Sequence, residues 1–108
     1  MAIQASARNA QEVLVTISVD RRGQIGISPK RFKLHKHRDQ YVRWICKSRD
    51  PFMVEFENGS PFYEAQFSTD HPCSGFARRD VLPAKFRPYK YTVRVGDKVL
   101  DPEGQIEK

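Results

Sequence analysis

The chain is predicted to fold as an all-β sandwich or barrel of about six to eight short strands, on three observations. Apolar residues alternate with polar ones in several separate runs. Turn-forming residues recur about every 8–12 positions between those runs. Seven prolines and six glycines punctuate the chain. As a result, no breaker-free window of about eleven residues carries the i, i+3, i+4, i+7 apolar stripe of a helix.

The first strand is predicted over Glu12–Asp20, where Val13, Val15, Ile17 and Val19 alternate with Leu14, Thr16 and Ser18. Alternate side chains of a strand point to opposite faces, so one valine-isoleucine row faces the core. Asp20-Arg21-Arg22-Gly23 supplies a turn. Ile25 and Ile27 follow. Phe32 and Leu34 then alternate with Arg31, Lys33 and His35 up to Lys36. In Tyr41–Ser48, Val42, Trp44 and Cys46 share one face, and Tyr41, Arg43 and Ile45 the other. Asp50-Pro51 breaks this run, and Phe52, Val54 and Phe56 alternate beyond it until Asn58-Gly59, a turn dipeptide. Pro61 argues against a regular hairpin there.

The signal weakens between Ser60 and Pro88. Phe62, Phe67, Phe76, Val81, Leu82 and Phe86 stand as isolated apolar anchors, with short strands expected near Ala65–Ser68 and Arg78–Leu82. Tyr89–Val95 reads as one strand, with Tyr89, Tyr91, Val93 and Val95 inward and Lys90, Thr92 and Arg94 outward. Gly96-Asp97 fits a glycine-first hairpin turn into Lys98–Leu100, and Ile106 ends a last strand after Asp101-Pro102-Glu103-Gly104. The core is expected to hold Val15, Ile17, Val42, Trp44, Val54, Phe56, Tyr91 and Val93, with Trp44 at its centre.

With 108 residues, one small domain is expected, running from about residue 11 to 108 behind a loose polar leader, residues 1–10. A barrel enzyme or a paired dinucleotide-binding fold does not fit in this length. No apolar run approaches the ~20 residues of a membrane helix, and residues 1–11 lack the apolar centre of a secretion signal. The expected setting is cytoplasmic, where Cys46 and Cys73 stay reduced and Cys46 acts as a small buried hydrophobe. The net charge of +6 favours solubility and anionic partners.

Two segments carry a further likeness. RFKLHKHRDQYVRWICKSRDPFMVEFENG resembles the middle of a cupredoxin, with Val42-Arg43-Trp44 in the place of that family's Val-x-Trp strand. FRPYKYTVRVGDKVLDPEGQIE resembles its closing stretch, in which a Tyr-x-Tyr/Phe-x-Cys strand runs into a ligand loop. The likeness covers about half the chain and implies a Greek-key sandwich, an architecture that immunoglobulin-like domains share. Type-1 copper needs two histidines, a cysteine thiolate and usually a methionine. By this resemblance the first histidine position falls on Phe52 and the cysteine position on Val93, and Arg94–Leu100 contains neither His nor Met. The resemblance therefore implies a cupredoxin-like scaffold without its metal or any other cofactor. Such scaffolds serve as recognition or assembly modules.

Other chemistries are thinly represented. His35, His37, His71 and Cys73 make up a zinc or copper set only if two separate segments converge. Otherwise they are surface histidines and a loop cysteine. There is no G-x-S-x-G elbow and no glycine-rich phosphate loop, and Asp50, Glu55, Glu57 and Glu64 are interleaved with aromatics like the solvent side of a strand. No catalytic residues are assigned, and an enzyme is not expected.

The basic residues cluster. Lys30, Arg31, Lys33, Lys36 and Arg38 follow one another with no acid among them before Asp39, and Arg78, Arg79, Lys85, Arg87, Lys90 and Arg94 follow later against Asp80. On a sandwich the two groups could merge into one face. With Tyr41 and Tyr63 nearby, that face would suit nucleic acid through phosphate contacts and stacking. Alternating Lys and Arg also serve simply to keep a sheet solvated. The leading expectation is a non-enzymatic binding or assembly module with a protein partner or acidic surface. A nucleic-acid-binding β-domain is the alternative. Exposed edge strands would also permit a homodimer.

Overall fold

In the computed structural model, residues 11–36, 38–81 and 88–107 are described. The chain is an all-β sandwich of eleven short strands, with no helix among the described residues. The strands are β1 (Gln11–Val19), β2 (Ile25–Ser28), β3 (Arg31–His35), β4 (Gln40–Cys46), β5 (Phe52–Glu55), β6 (Gln66–Ser68), β7 (Cys73–Phe76), β8 (Tyr89–Lys90), β9 (Thr92–Val95), β10 (Lys98–Leu100) and β11 (Glu103–Glu107). They form three ladders, ordered β2-β1-β4-β7, β10-β9-β5-β6 and β3-β11-β8. Two pairings are parallel, β1 with β4 and β3 with β11, and the rest are antiparallel.

The alternation read in the sequence drives this arrangement. Val15 and Ile17 of β1 and Val42 and Trp44 of β4 are fully buried, while Leu14 and Arg43 on the opposite side are exposed. The parallel register sets Val15 beside Trp44 and Val13 beside Val42, so both strands turn their apolar rows the same way. Asp20 closes the β1–β2 turn: its carboxylate accepts the N–H groups of Arg22 and Gln24 at 2.9 and 2.8 Å. Gly23 supplies the left-handed φ of 78° that this turn requires. Gly96, at φ 60°, does the same for the β9–β10 hairpin.

The centre of the core is aromatic. Trp44 stacks on Phe67 of β6 at 5.1 Å and meets Phe32 of β3 edge-on at 6.3 Å, Tyr91 at 5.8 Å and Phe56 at 6.3 Å. One side chain thus joins all three ladders. Burial pushes the Tyr91 phenol well above its ordinary range, opposed by the indole N–H of Trp44 beside it.

Several local expectations change. Among the described residues there are eleven strands rather than about six to eight: the run Tyr89–Val95 divides between two ladders, and short strands such as Cys73–Phe76 add to the count. Tyr89–Val95 splits at Tyr91: β8 pairs with β11, β9 pairs with β5, and the Tyr91 N–H donates to the Pro102 carbonyl at 3.0 Å. Thr92 stays on the face opposite Val93, in register with Glu55, and is covered there by Asp101, to which its hydroxyl donates at 2.9 Å. No strand forms at Arg78–Val81, which is a turn closed by the Val81 N–H on the Arg78 carbonyl at 3.2 Å. The strand lies earlier, at Cys73–Phe76, where the buried Ser74 hydroxyl accepts the Val42 N–H at 2.8 Å. Leu82 and Phe86 lie outside the described residues. No helix among the described residues is long and apolar enough to cross a membrane.

Candidate functional site, a basic groove edged by aromatic rings

A groove of about 400 Å3 opens where the β3–β4 turn meets the chain that leaves β7. Lys36, Arg38, Tyr63, Phe76 and Arg79 are among the residues that line it. Each wall is placed by main-chain bonding. The Lys36 N–H donates to the Glu107 carbonyl at 2.7 Å as β3 ends, and the Arg38 N–H donates to the His35 carbonyl at 3.1 Å to close the turn. On the opposite wall, an isolated bridge joins Phe62 and Ala77. The Arg78 N–H donates to the Pro61 carbonyl at 2.8 Å, and the Arg79 N–H lies 3.4 Å from the Tyr63 hydroxyl.

Lys36 ties the two walls together. Its ammonium donates to the carbonyl of Arg79 at 2.9 Å and also to that of Val81. This bond brings the cations of two segments some forty residues apart into one place. Among the described residues, neither Arg38 nor Arg79 is paired with a carboxylate, and both are exposed. The rings beside them are open as well: Tyr63 is 71% exposed and Phe76 50%. Phe76 is braced edge-on against Tyr41 at 6.4 Å, across the β4–β7 pair.

The other expected basic residues do not join this groove. Arg31 is ion-paired with Glu103, which lies in register between Arg31 and Lys90 on the third ladder. Lys33 sits exposed on the same ladder beside Gln105, and Lys30 lies exposed before β3. On this ladder Glu103 and Glu107 stand among Arg31, Lys33 and Lys90. Lys90 lines a separate hollow of about 270 Å3 with Glu57 and Asp101. Arg94 lies 3.7 Å from Glu57 on β9, and Arg78, half-buried, lies 3.5 Å from Asp80. Lys85 and Arg87 lie outside the described residues.

The histidine-cysteine set is not gathered. Among the described residues, no group of three or more His, Cys, Asp or Glu side chains is placed to hold a metal ion. His35 faces Glu107 at 3.9 Å, at the end of β3. His71 stacks on Phe67 and meets Glu64 at 3.0 Å. Cys73 sits on β7 in register with Arg43. His37 lies outside the described residues. A separate comparison concerns the positions that copper ligands would take by the cupredoxin resemblance. Phe52 and Val93 lie on adjacent strands, where Phe52 pairs with Val95 and Val93 with Val54. All four are buried, so apolar volume stands where imidazole and thiolate ligands would be needed, and the residues do not fit copper.

The sequence pattern identifies the cations of the groove and Tyr63 but reads Phe76 as an isolated core anchor. The signal available for its exposure is its position beside Gly75, in a strand with no second apolar partner. In comparisons with known proteins, no family model, no curated protein and no solved structure matches this chain.

Proposed function

We propose that the protein is a non-enzymatic binding module, a metal-free cupredoxin-like sandwich that captures an anionic partner in the groove between Arg38 and Arg79. One observation carries this reading: two guanidinium groups from distant segments, unpaired with any described carboxylate, share a concave surface with two exposed rings. Elsewhere on the surface, Arg31, Arg43, Arg78 and Arg94 each have an acidic neighbour, and the exposed Arg21, Arg22 and Arg49, which are in no ion pair among the described residues, do not line this groove. Lys36, Arg38 and Arg79 outnumber the Asp39 carboxylate of the groove, and a net positive charge in a concavity focuses the local field and raises the local concentration of anions. The scaffold half of the proposal is supported by the two parallel strand pairings and by the buried Phe52 and Val93 at the ligand positions of the resemblance.

The partner half is tested by retention on a sulfated-polysaccharide resin. Wild-type protein is expected to elute at higher salt than the Arg38→Ser/Arg79→Ser double variant. An Arg31→Ser/Arg94→Ser control carries the same charge change and is expected to elute near wild type. Co-elution of the two double variants would overturn the groove as the anion site, since net charge alone would then set retention.

The scaffold half predicts that Cu(II) or Cu(I) neither raises the melting temperature nor produces an intense blue thiolate band. A ligand bound only to the native state stabilises it by about 2.7 kcal/mol at a hundred times its Kd, which a melting curve resolves. A saturable one-to-one shift abolished by Phe52→Ala would overturn the metal-free assignment. A shift abolished by His35→Ala or Cys73→Ala would point instead to a separate histidine-cysteine site.

A further inference from the structure

We infer that the anionic partner of this groove is a single-stranded nucleic acid, its phosphates held by Arg38 and Arg79 and its bases stacked on Tyr63 and Phe76. The inference rests on the binding-module reading above and adds the chemistry of the partner. A partner with carboxylates alone would need only the cations. The groove also presents two large rings to water, at 71% and 50% exposure, beside those cations. Unstacked bases match this combination, because every base offers a π-face next to a phosphate. A duplex does not, since its bases are stacked on one another and cannot reach an aromatic side chain without being extruded.

The polar groups of the groove indicate that sequence is read weakly. Gln40, on the wall, has its amide already engaged: the carbonyl oxygen accepts the His35 N–H at 2.6 Å, and the NH2 group donates to Gln11 at 3.1 Å. One N–H and one oxygen lone pair are thereby taken and the amide is held in place, which weakens its reading of a base edge. Lys36 is likewise held by main-chain carbonyls and acts as a fixed charge. The carboxylate of Asp39, also on the wall, repels phosphate, so the backbone is held by the arginines alone. Stacking and charge then dominate, which is the chemistry of sequence-tolerant strand binding.

Fluorescence anisotropy on the full chain tests this with four labelled probes of about twelve nucleotides: single-stranded DNA, single-stranded RNA, an abasic sugar-phosphate strand and a DNA duplex. At roughly 50 mM salt, the two base-bearing single strands are expected to bind at least about tenfold more tightly than the abasic strand. Tyr63→Ala and Phe76→Thr are each expected to weaken the base-bearing strands by about fivefold or more and to leave the abasic strand unchanged. Tyr63→Phe, which keeps the ring, is expected to behave as wild type. Arg38→Ser/Arg79→Ser is expected to weaken all strands and to flatten the slope of log affinity against log salt by about 1.4, roughly 0.7 for each phosphate no longer neutralised. Equal affinity for the abasic and base-bearing strands would overturn the inference, as would ring variants without effect or preference for the duplex. Binding of polyglutamate through Arg38 and Arg79, with no binding of oligonucleotides, would overturn it in favour of an acidic protein while leaving the binding-module reading intact. Absence of binding to either, with unchanged resin retention in the arginine variant, would remove that reading as well.

Discussion

Replacing Trp44 with alanine is expected to lower the unfolding free energy by about 3–5 kcal/mol, a large part of the 5–15 kcal/mol typical of a domain. The indole, on β4, is fully buried and touches aromatic rings of the other two ladders: Phe32 on β3, Phe67 on β6 and Tyr91 at the β8–β9 switch. Its removal deletes transfer free energy and leaves a cavity that the surrounding strand-anchored rings cannot collapse to fill. Contacts such as Phe32–Tyr91 remain, but the largest buried side chain between the ladders is lost, so the damage falls on the packing between them. Urea unfolding monitored by far-ultraviolet circular dichroism measures the effect, because the variant no longer has the chain's only tryptophan as a fluorescent probe. A midpoint equal to that of wild type would overturn the place of Trp44 at the centre. Trp44→Phe keeps an aromatic ring and is expected to recover part of the stability.

Much of this centre is legible in the sequence. The alternation places Val15, Ile17, Val42, Trp44, Val54, Phe56, Tyr91 and Val93 inside, and all are buried. The period of two identifies them because they lie on, or in the case of Phe56 and Tyr91 directly beside, strands with one wet and one dry face. The pattern fails where that condition fails. In β7, Cys73–Phe76 has no apolar alternation, because it is an edge strand held to β4 partly by the Ser74 hydroxyl. At Tyr91 the chain leaves one ladder for another, and the period of two, which runs through the switch unbroken, reads one strand where there are two.

The groove is legible only in outline. Its cations stand out as clusters in the sequence, but nothing there says which of them meet. That depends on a long-range interaction, the Lys36 ammonium on the carbonyls of Arg79 and Val81. Main-chain carbonyls carry no residue signature, so such an interaction leaves no pattern to read. Neutralisation is equally hidden. Glu103 faces Arg31 only because β11 runs parallel to β3, a pairing between strands some seventy residues apart.

Gly104→Ala is expected to destabilise the protein by at least about 1–3 kcal/mol, the usual cost of forcing extra volume into a packed core. In the sequence, Asp101-Pro102-Glu103-Gly104 reads as a turn, where a glycine supplies backbone freedom. Gly104 instead lies within β11, buried and in register with Phe32 on the parallel strand β3. A Cβ at this position would lie inside the van der Waals envelope of the Phe32 ring. That ring has no room to retreat, since it is fully buried and packed against Trp44, Phe62 and Tyr91. The strand could relieve the clash only by moving away from β3 and giving up ladder hydrogen bonds. The conflict is between two side chains, so it is relieved by shrinking the other one. Phe32→Leu alone is expected to destabilise by leaving unfilled space, and the double variant Phe32→Leu/Gly104→Ala to be more stable than the sum of the single changes by about 0.5–3 kcal/mol. Urea midpoints of the four proteins in this cycle measure the coupling. A Gly104→Ala protein that unfolds at the wild-type midpoint, or strictly additive single changes, would show that Phe32 does not occupy the space above Gly104.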